Sequence, residues 1–323
     1  MKNTLKLGFL AAALVSTFSA WADPAIIFDM GGKFDKSFNQ SAYEGMERWK
    51  KETGKPYLEF EVANETQREQ AIRRMAERGA SPIIGISFSQ ASAMAKVSKE
   101  FPKLQFAIID DVVEAPNVQS VVFKEHEGSF LVGMLAAEAS KTGKVGFVGG
   151  MDIPLIRKFQ CGYEQGAKYA NPKVETFANM TGTTGAAWND PGRGGELTKS
   201  QFAKGADVVF AAAGGTGIGV YQAAKDAGKL AIGVDSNQNY VQPGTMLSSM
   251  VKRVDVAVYN ILKNYKAGVT SLGLKEDGVG YSMDEFNAKL VTPEMKKKVD
   301  AAKADIVSGK IKVVDYMTAN ACK

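Results

Sequence analysis

A chain of 323 residues with 45% hydrophobic and 23% charged side chains can build two ordinary globular domains, and it lacks the composition of a disordered, collagenous or disulfide-dense protein. The formal charge of +5 comes from 40 Lys and Arg against 35 Asp and Glu. These are scattered, as at Lys50-Lys51, Arg73-Arg74 and Lys296 to Lys298 in predicted surface helices, which argues against a nucleic-acid partner. A single histidine, His126, and two distant cysteines leave no ligand set for a structural zinc, so no metal is expected.

Residues 1–22 read as a secretory leader. Lys2 and Lys6 precede the apolar run Leu7 to Val15, and Ala20-Trp21-Ala22 puts small residues where a signal peptidase reads. The run is short of the roughly 20 apolar residues that span a bilayer. Cleavage after Ala22 leaves 301 residues from Asp23, with 38 basic against 35 acidic groups and no cysteine at the cleavage point to take a lipid. Export permits a disulfide between Cys161 and Cys322. The sequence leaves open both that bridge and two separate small hydrophobes.

From Asp23 onward, short β-rich runs at Ala25 to Phe28, Leu58 to Val62, Pro82 to Ile86, Gln105 to Ile109 and Val118 to Phe123 alternate with helical spacing at Ser37 to Glu52, Thr66 to Arg78 and Gln90 to Glu100. A helix is predicted at Glu125 to Ala139. The grammar then restarts, with strands at Lys144 to Val148, Val174 to Phe177, Ala206 to Phe210 and Leu230 to Val234, and helices at Leu155 to Tyr169, Gly194 to Phe202 and Gly217 to Asp226. A strand at Met246 to Val251 and a helix at Val254 to Tyr265 follow. Strands alternating with helices of this length predict an α/β fold with two lobes, each a largely parallel sheet flanked by helices.

In such sheets ligands collect beyond the C-terminal strand ends. Those ends carry Asp29, Ser87, Asp110-Asp111, Gly149-Gly150, Gly214-Gly215 and Asp235. Each carboxylate alone would serve equally well as a helix cap; three facing one crevice favour acceptance of ligand N–H and O–H groups. Gly214 to Gly219 has neither the GxGxxG spacing of a dinucleotide site nor the Gly-Lys-Ser/Thr of a P-loop, so no nucleotide cofactor is expected. Its glycines either form a tight turn or bring backbone N–H groups to a ligand. Phe34, Phe38 and Trp188 are aromatic candidates, Trp188 lying in a turn-forming stretch that core periodicity does not explain. Lys252 follows its strand and either reaches a ligand hydroxyl or pairs with an acid. Without a GxSxG elbow, an HExxH motif or a partner for His126, no catalytic residue is expected and the chain reads as a non-enzyme.

Several long motifs resemble the basic membrane protein family of ABC-transporter receptors, which includes the purine nucleoside receptor A type. They are Asp29-Met-Gly-Gly-Lys-Phe-Asp35-Lys-Ser-Phe38-Asn-Gln-Ser-Ala-Tyr-Glu-Gly45, Phe123-Lys-Glu-His-Glu-Gly-Ser-Phe-Leu-Val-Gly133, Gly146-Phe-Val-Gly-Gly-Met-Asp-Ile-Pro154, Trp188-Asn-Asp-Pro191, Phe210-Ala-Ala-Ala-Gly-Gly-Thr-Gly217 and Ala231-Ile-Gly-Val-Asp-Ser-Asn-Gln238. The resemblance implies a type I periplasmic-binding-protein fold with three interlobe crossovers. Residues 23–126 and about 267–323 would form the N-terminal lobe, and residues 127–266 the C-terminal lobe with crossover helices. It implies a monomer that captures a nucleoside, with a purine base expected, and delivers it to an inner-membrane permease driven by an ATPase. Phe38 and Trp188 would sandwich the base. Asp110 would receive its N–H groups, with Asp29 and Asn39 at the same end. Asp235 and Lys252 would hold ribose hydroxyls, aided by backbone near Gly214 and Gly215. Many relatives carry a lipobox cysteine; this leader ends in Ala-Trp-Ala, so the implied place is the periplasm. Trp188 stands where phenylalanine is common, which leaves base specificity open. The rival readings are a receptor for a sugar, free base or other small heterocycle, a nucleoside-processing enzyme, and a structural envelope protein.

Overall fold

The computed structural model describes residues 22–322, so all of the expected leader but its last residue lies outside the described residues. Among those described, no helix is long and apolar enough to cross a membrane. The chain opens with β1 (Ala25–Phe28), α1 (Phe38–Thr53), β2 (Leu58–Glu61), α2 (Gln67–Glu77), β3 (Ile83–Ile86), α3 (Ala91–Glu100), β4 (Phe106–Ile109) and β5 (Val118–Phe123). The second block is α4 (Glu125–Ala139), β6 (Lys144–Met151), α5 (Pro154–Ala170), β7 (Glu175–Gly182), α6 (Pro191–Ala203), β8 (Val208–Ala212), α7 (Gly217–Asp226), β9 (Leu230–Asp235) and β10 (Met246–Lys252). The chain closes with α8 (Val254–Lys263), β11 (Gly268–Leu272), β12 (Val279–Tyr281), α9 (Pro293–Val307) and α10 (Tyr316–Ala319).

The strands form two six-stranded sheets, β11-β5-β4-β3-β1-β2 and β12-β10-β9-β8-β6-β7. All pairings are parallel except β10 with β12. The path passes between lobes at β5 to α4, at β10 to α8, and between β11 and β12. The segment from about residue 267, expected to return whole to the first lobe, is divided: β11 pairs with β5, whereas β12 pairs with β10, and α9 and α10 pack on α4 and α5. Conversely α8, expected in the second lobe, packs against α1. Local periodicity carries no information on which sheet a short edge strand joins, so the divided tail is not readable from spacing.

Helix α1 shows how sequence sets the elements. Ala42, Met46 and Trp49 bury one face. The Asp35 carboxylate accepts from the backbone N–H groups of Ser37, Asn39 and Gln40 at 2.8, 3.0 and 3.1 Å, satisfying donors that a helix start leaves open. Gly54, at φ 69°, ends the helix in the left-handed region. Helix α4 is buried nearly all round and carries one apolar core from Ile26 and Phe28 through Leu131 and Leu135 to Phe147 and Phe210. It lies so close to α5 that a Cβ on Gly162 or Gly166 would strike the backbone of His126 or Phe130.

Candidate functional site

A cavity between the lobes is lined by Asp29, Phe38, Asn39, Asp110, Trp188, Gly214, Asp235 and Lys252, eight of the nine residues expected at a ligand site. Gly215 is outside this lining; it backs the Trp188 main chain. Asp29, Ser87, Asp110, Asp235 and Lys252 sit at or just past strand ends, where parallel strands leave their C-terminal ends open. Ser87, Asp110 and Asp235 hold φ of 106°, 75° and 63°, conformations that cost ~1–3 kcal/mol in a non-glycine residue and gather at functional sites.

The carboxylates differ in what occupies them. Asp29 Oδ1 accepts from Arg68 Nε and Nη2 at 3.2 and 3.1 Å, and Oδ2 accepts from Ser89 Oγ at 2.6 Å. Asn39 braces the same residue, accepting from the Asp29 N–H and donating to its carbonyl, both at 3.2 Å. These two residues face the cavity with their polar atoms already engaged by protein. Asp110 Oδ2 accepts from Lys252 Nζ at 2.6 Å, while Oδ1 is buried with no protein partner. An orphaned buried acceptor beside a cavity calls for a donor from a ligand.

Lys252 is 1% exposed. Its ammonium lies 2.9 Å from Glu125 and 5.0, 5.0 and 5.6 Å from the ring centres of Phe38, Phe123 and Phe159. Burial works against its charge, but Asp110, Glu125 and Asp235 outweigh it and hold its pKa above the usual lysine value. Burial pushes Asp110 up to about 6, Lys252 opposing. Asp235 is also pushed up to about 6 by burial, against Lys252 and a bond from Ser37.

The lobes meet directly over this cavity. Ser37 Oγ donates to Asp235 Oδ2 at 2.5 Å, Ser236 Oγ donates to the Ser37 carbonyl at 3.2 Å, and Gln238 Nε2 donates to the Lys36 carbonyl at 2.8 Å. Trp188 lies where a Gly150 side chain would be, its indole resting on the end of β6. Sequence reasoning missed Phe159, Leu155 and Ile156 at the start of α5, Arg68 behind Asp29, and Glu125 behind Lys252. Glu125 and Arg68 gave no signal, because an acid and a base far apart in sequence announce no pairing. The Cys161–Cys322 disulfide is formed, with Cα atoms 5.0 Å apart. His126 is buried against Asp315 rather than in the cavity, and burial pushes its pKa down to about 4.

Two α/β lobes with a cavity between them, at the C-terminal ends of their parallel strands, have the architecture of a solute-binding protein. The chain belongs to the family described as "ABC transporter substrate-binding protein PnrA-like", whose profile matches residues 24–316. It is 33% identical to the ABC transporter nucleoside-binding protein BmpA of Lactococcus lactis subsp. cremoris over 90% of this chain and 88% of that one. It is 36% identical to Basic membrane protein D of Borreliella burgdorferi, covering 86% and 84% of the two chains. A solute-binding protein of an ABC transporter system from Aeropyrum pernix K1 superposes with a TM-score of 0.83 at 29% identity, covering 91% and 93%. The protein is thus an extracytoplasmic solute receptor of an ABC importer, working by binding rather than catalysis, with a permease and its ATPase as partners.

Proposed function

We propose that this receptor captures a nucleoside, a purine nucleoside above all, and carries it through the periplasm as a monomer without a lipid anchor. The observation that carries the reading is the unpartnered, buried Asp110 Oδ1 in a cavity that also holds Phe38 and Trp188. Two aromatic faces take a planar base, and stacking contributes about 1–3 kcal/mol per base. A carboxylate with a free lone pair accepts a base N–H. Asp235 and Lys252 supply an acceptor and a donor for ribose hydroxyls. The surplus of carboxylates, Asp110, Asp235 and Glu125 against Lys252 and Lys158, disfavours a phosphate and so a nucleotide. The nucleoside-binding relative from Lactococcus supports the same solute class.

The test is native mass spectrometry of the purified protein, with identification of any small molecule released on denaturation. Refolding and titration with purine and pyrimidine nucleosides, free bases, sugars and nucleotides then follow. A retained purine nucleoside, or micromolar or tighter binding of one with nucleotides rejected, supports the reading. A response to sugars alone overturns it in favour of a sugar receptor.

A further inference from the structure

A line of buried charge runs back from the cavity wall: Asp110 and Lys252 face the cavity, and Glu125 and Lys158 lie behind them, outside its lining. Lys252 Nζ stands between Asp110, at 2.6 Å, and Glu125 Oε1, at 2.9 Å. The other oxygen of Glu125 meets Lys158 Nζ at 3.0 Å. Lys158 also donates to the Phe123 carbonyl at 2.6 Å and lies 3.6 Å from Asp315, on the tail that the disulfide ties to α5. Glu125 is 1% exposed and absent from the cavity lining.

We propose that Glu125 is a positioning residue for ligand capture: it holds the Lys252 ammonium at the back wall so that Asp110 Oδ1 and Asp235 remain open to the ligand. The inference rests on the reading of those carboxylates as ligand acceptors. An ammonium has three donors, and a buried one seeks every acceptor in reach. Asp110 accepts one of these donors and the Glu125 carboxylate pairs with the ammonium from the other side, at 2.9 Å, while Phe38, Phe123 and Phe159 surround the charge. With Glu125 gone, the nearest remaining acids are Asp110 and Asp235, and Lys252 then takes the lone pairs that the ligand needs. Lys158, anchored to the Phe123 carbonyl and Asp315, lies against the other oxygen of Glu125 and balances its charge.

Two measurements test this on the full mature protein. The first needs no ligand. Lysine labelled with 15N at Nζ gives a slowly exchanging Lys252 signal, assigned by its absence in Lys252→Met. Glu125→Gln should shift or broaden that signal while Lys158→Met leaves it in place; an unchanged signal in Glu125→Gln overturns the proposal whatever the solute proves to be. The second is calorimetric titration with adenosine, guanosine and inosine. Loss of one charge-assisted contact's worth of order should weaken binding by about tenfold or more in Glu125→Gln. Because that variant leaves Lys158 short of a partner and so at risk of misfolding, Glu125→Gln with Lys158→Met restores the charge balance. It should bind as weakly as the single variant. Recovery of wild-type affinity in the double variant makes Glu125 a charge balancer only and overturns the proposal. Failure of the wild-type protein to bind any nucleoside, with the spectroscopic result as expected, overturns the solute assignment and leaves the positioning role standing.

Discussion

Asp235 joins a left-handed backbone, φ 63°, to a buried carboxylate whose pKa burial lifts to about 6. A folded-state value above the ordinary ~3.9 means that the native protein holds this proton more tightly than the unfolded chain does, so stability falls as pH rises from about 4 to about 6 and stays reduced above that. Asp235→Asn removes the charge, tolerates the left-handed φ, and still accepts from Ser37. The ligand-free variant should therefore melt a few degrees above wild type at pH 7 and level with it at pH 4 in calorimetric scans, while nucleoside affinity drops about tenfold or more. Equal melting temperatures at pH 7 would show that the ionised carboxylate carries no such penalty. Gly150 makes a second case. It leaves room for the Trp188 ring, so Gly150→Ala should tilt that ring and weaken nucleoside binding by about 1–3 kcal/mol, the value of one stacked base. Unchanged affinity in a titration would remove Trp188 as the platform.

Elements with strong local signals were legible. Helices α4 and α7 occupy the residues that apolar spacing marks, and β1 and β5 likewise begin and end where their apolar runs do. Strand β6 runs on to Met151 through Gly149 and Gly150, because pairing with β7 and β8 overrides the glycines' turn preference. The last fifth of the chain was obscure for a different reason. Strand β11 is mostly exposed and shows no alternation, β12 has three residues, and both are defined by partners over a hundred or about thirty residues away. What fixes this tail is α5, where Gln165 exchanges bonds of 2.8 and 3.0 Å with the Val314 main chain and Cys161 is bonded to Cys322. Closing so long a loop restricts the unfolded chain, so Cys322→Ser should lower the urea-unfolding free energy by about 2–4 kcal/mol. A shift below a few tenths would mean that the tail stays docked through its hydrogen bonds alone.

At the scale of the whole molecule, the two lobes touch through the loops after β1 and β9, at Lys36, Ser37, Val234, Asp235, Ser236 and Gln238. Strand-end chemistry made Asp29, Asp110 and Asp235 readable, and Trp188 stood out in a turn that core periodicity does not explain. The contacts that shut it were hidden, because a serine and a glutamine bonding across some two hundred residues leave no periodic trace. Receptors of this architecture respond to solute by a shift between open and closed populations. Ser37→Ala deletes the bond to Asp235 and should cost the closed form about 1–2 kcal/mol. Small-angle X-ray scattering should then give a larger radius of gyration for the ligand-free variant, returning to the wild-type value on saturation with nucleoside. Identical scattering of the two ligand-free proteins would assign closure to other contacts. The same geometry makes the protein its own optical sensor. Among the described residues there are two tryptophans: Trp49, 7% exposed in the core of the first lobe, and Trp188, which lines the cavity. Trp49 lies outside the cavity lining, so a change in tryptophan emission on adding solute should report from Trp188 inside the binding site, without a dye or a label.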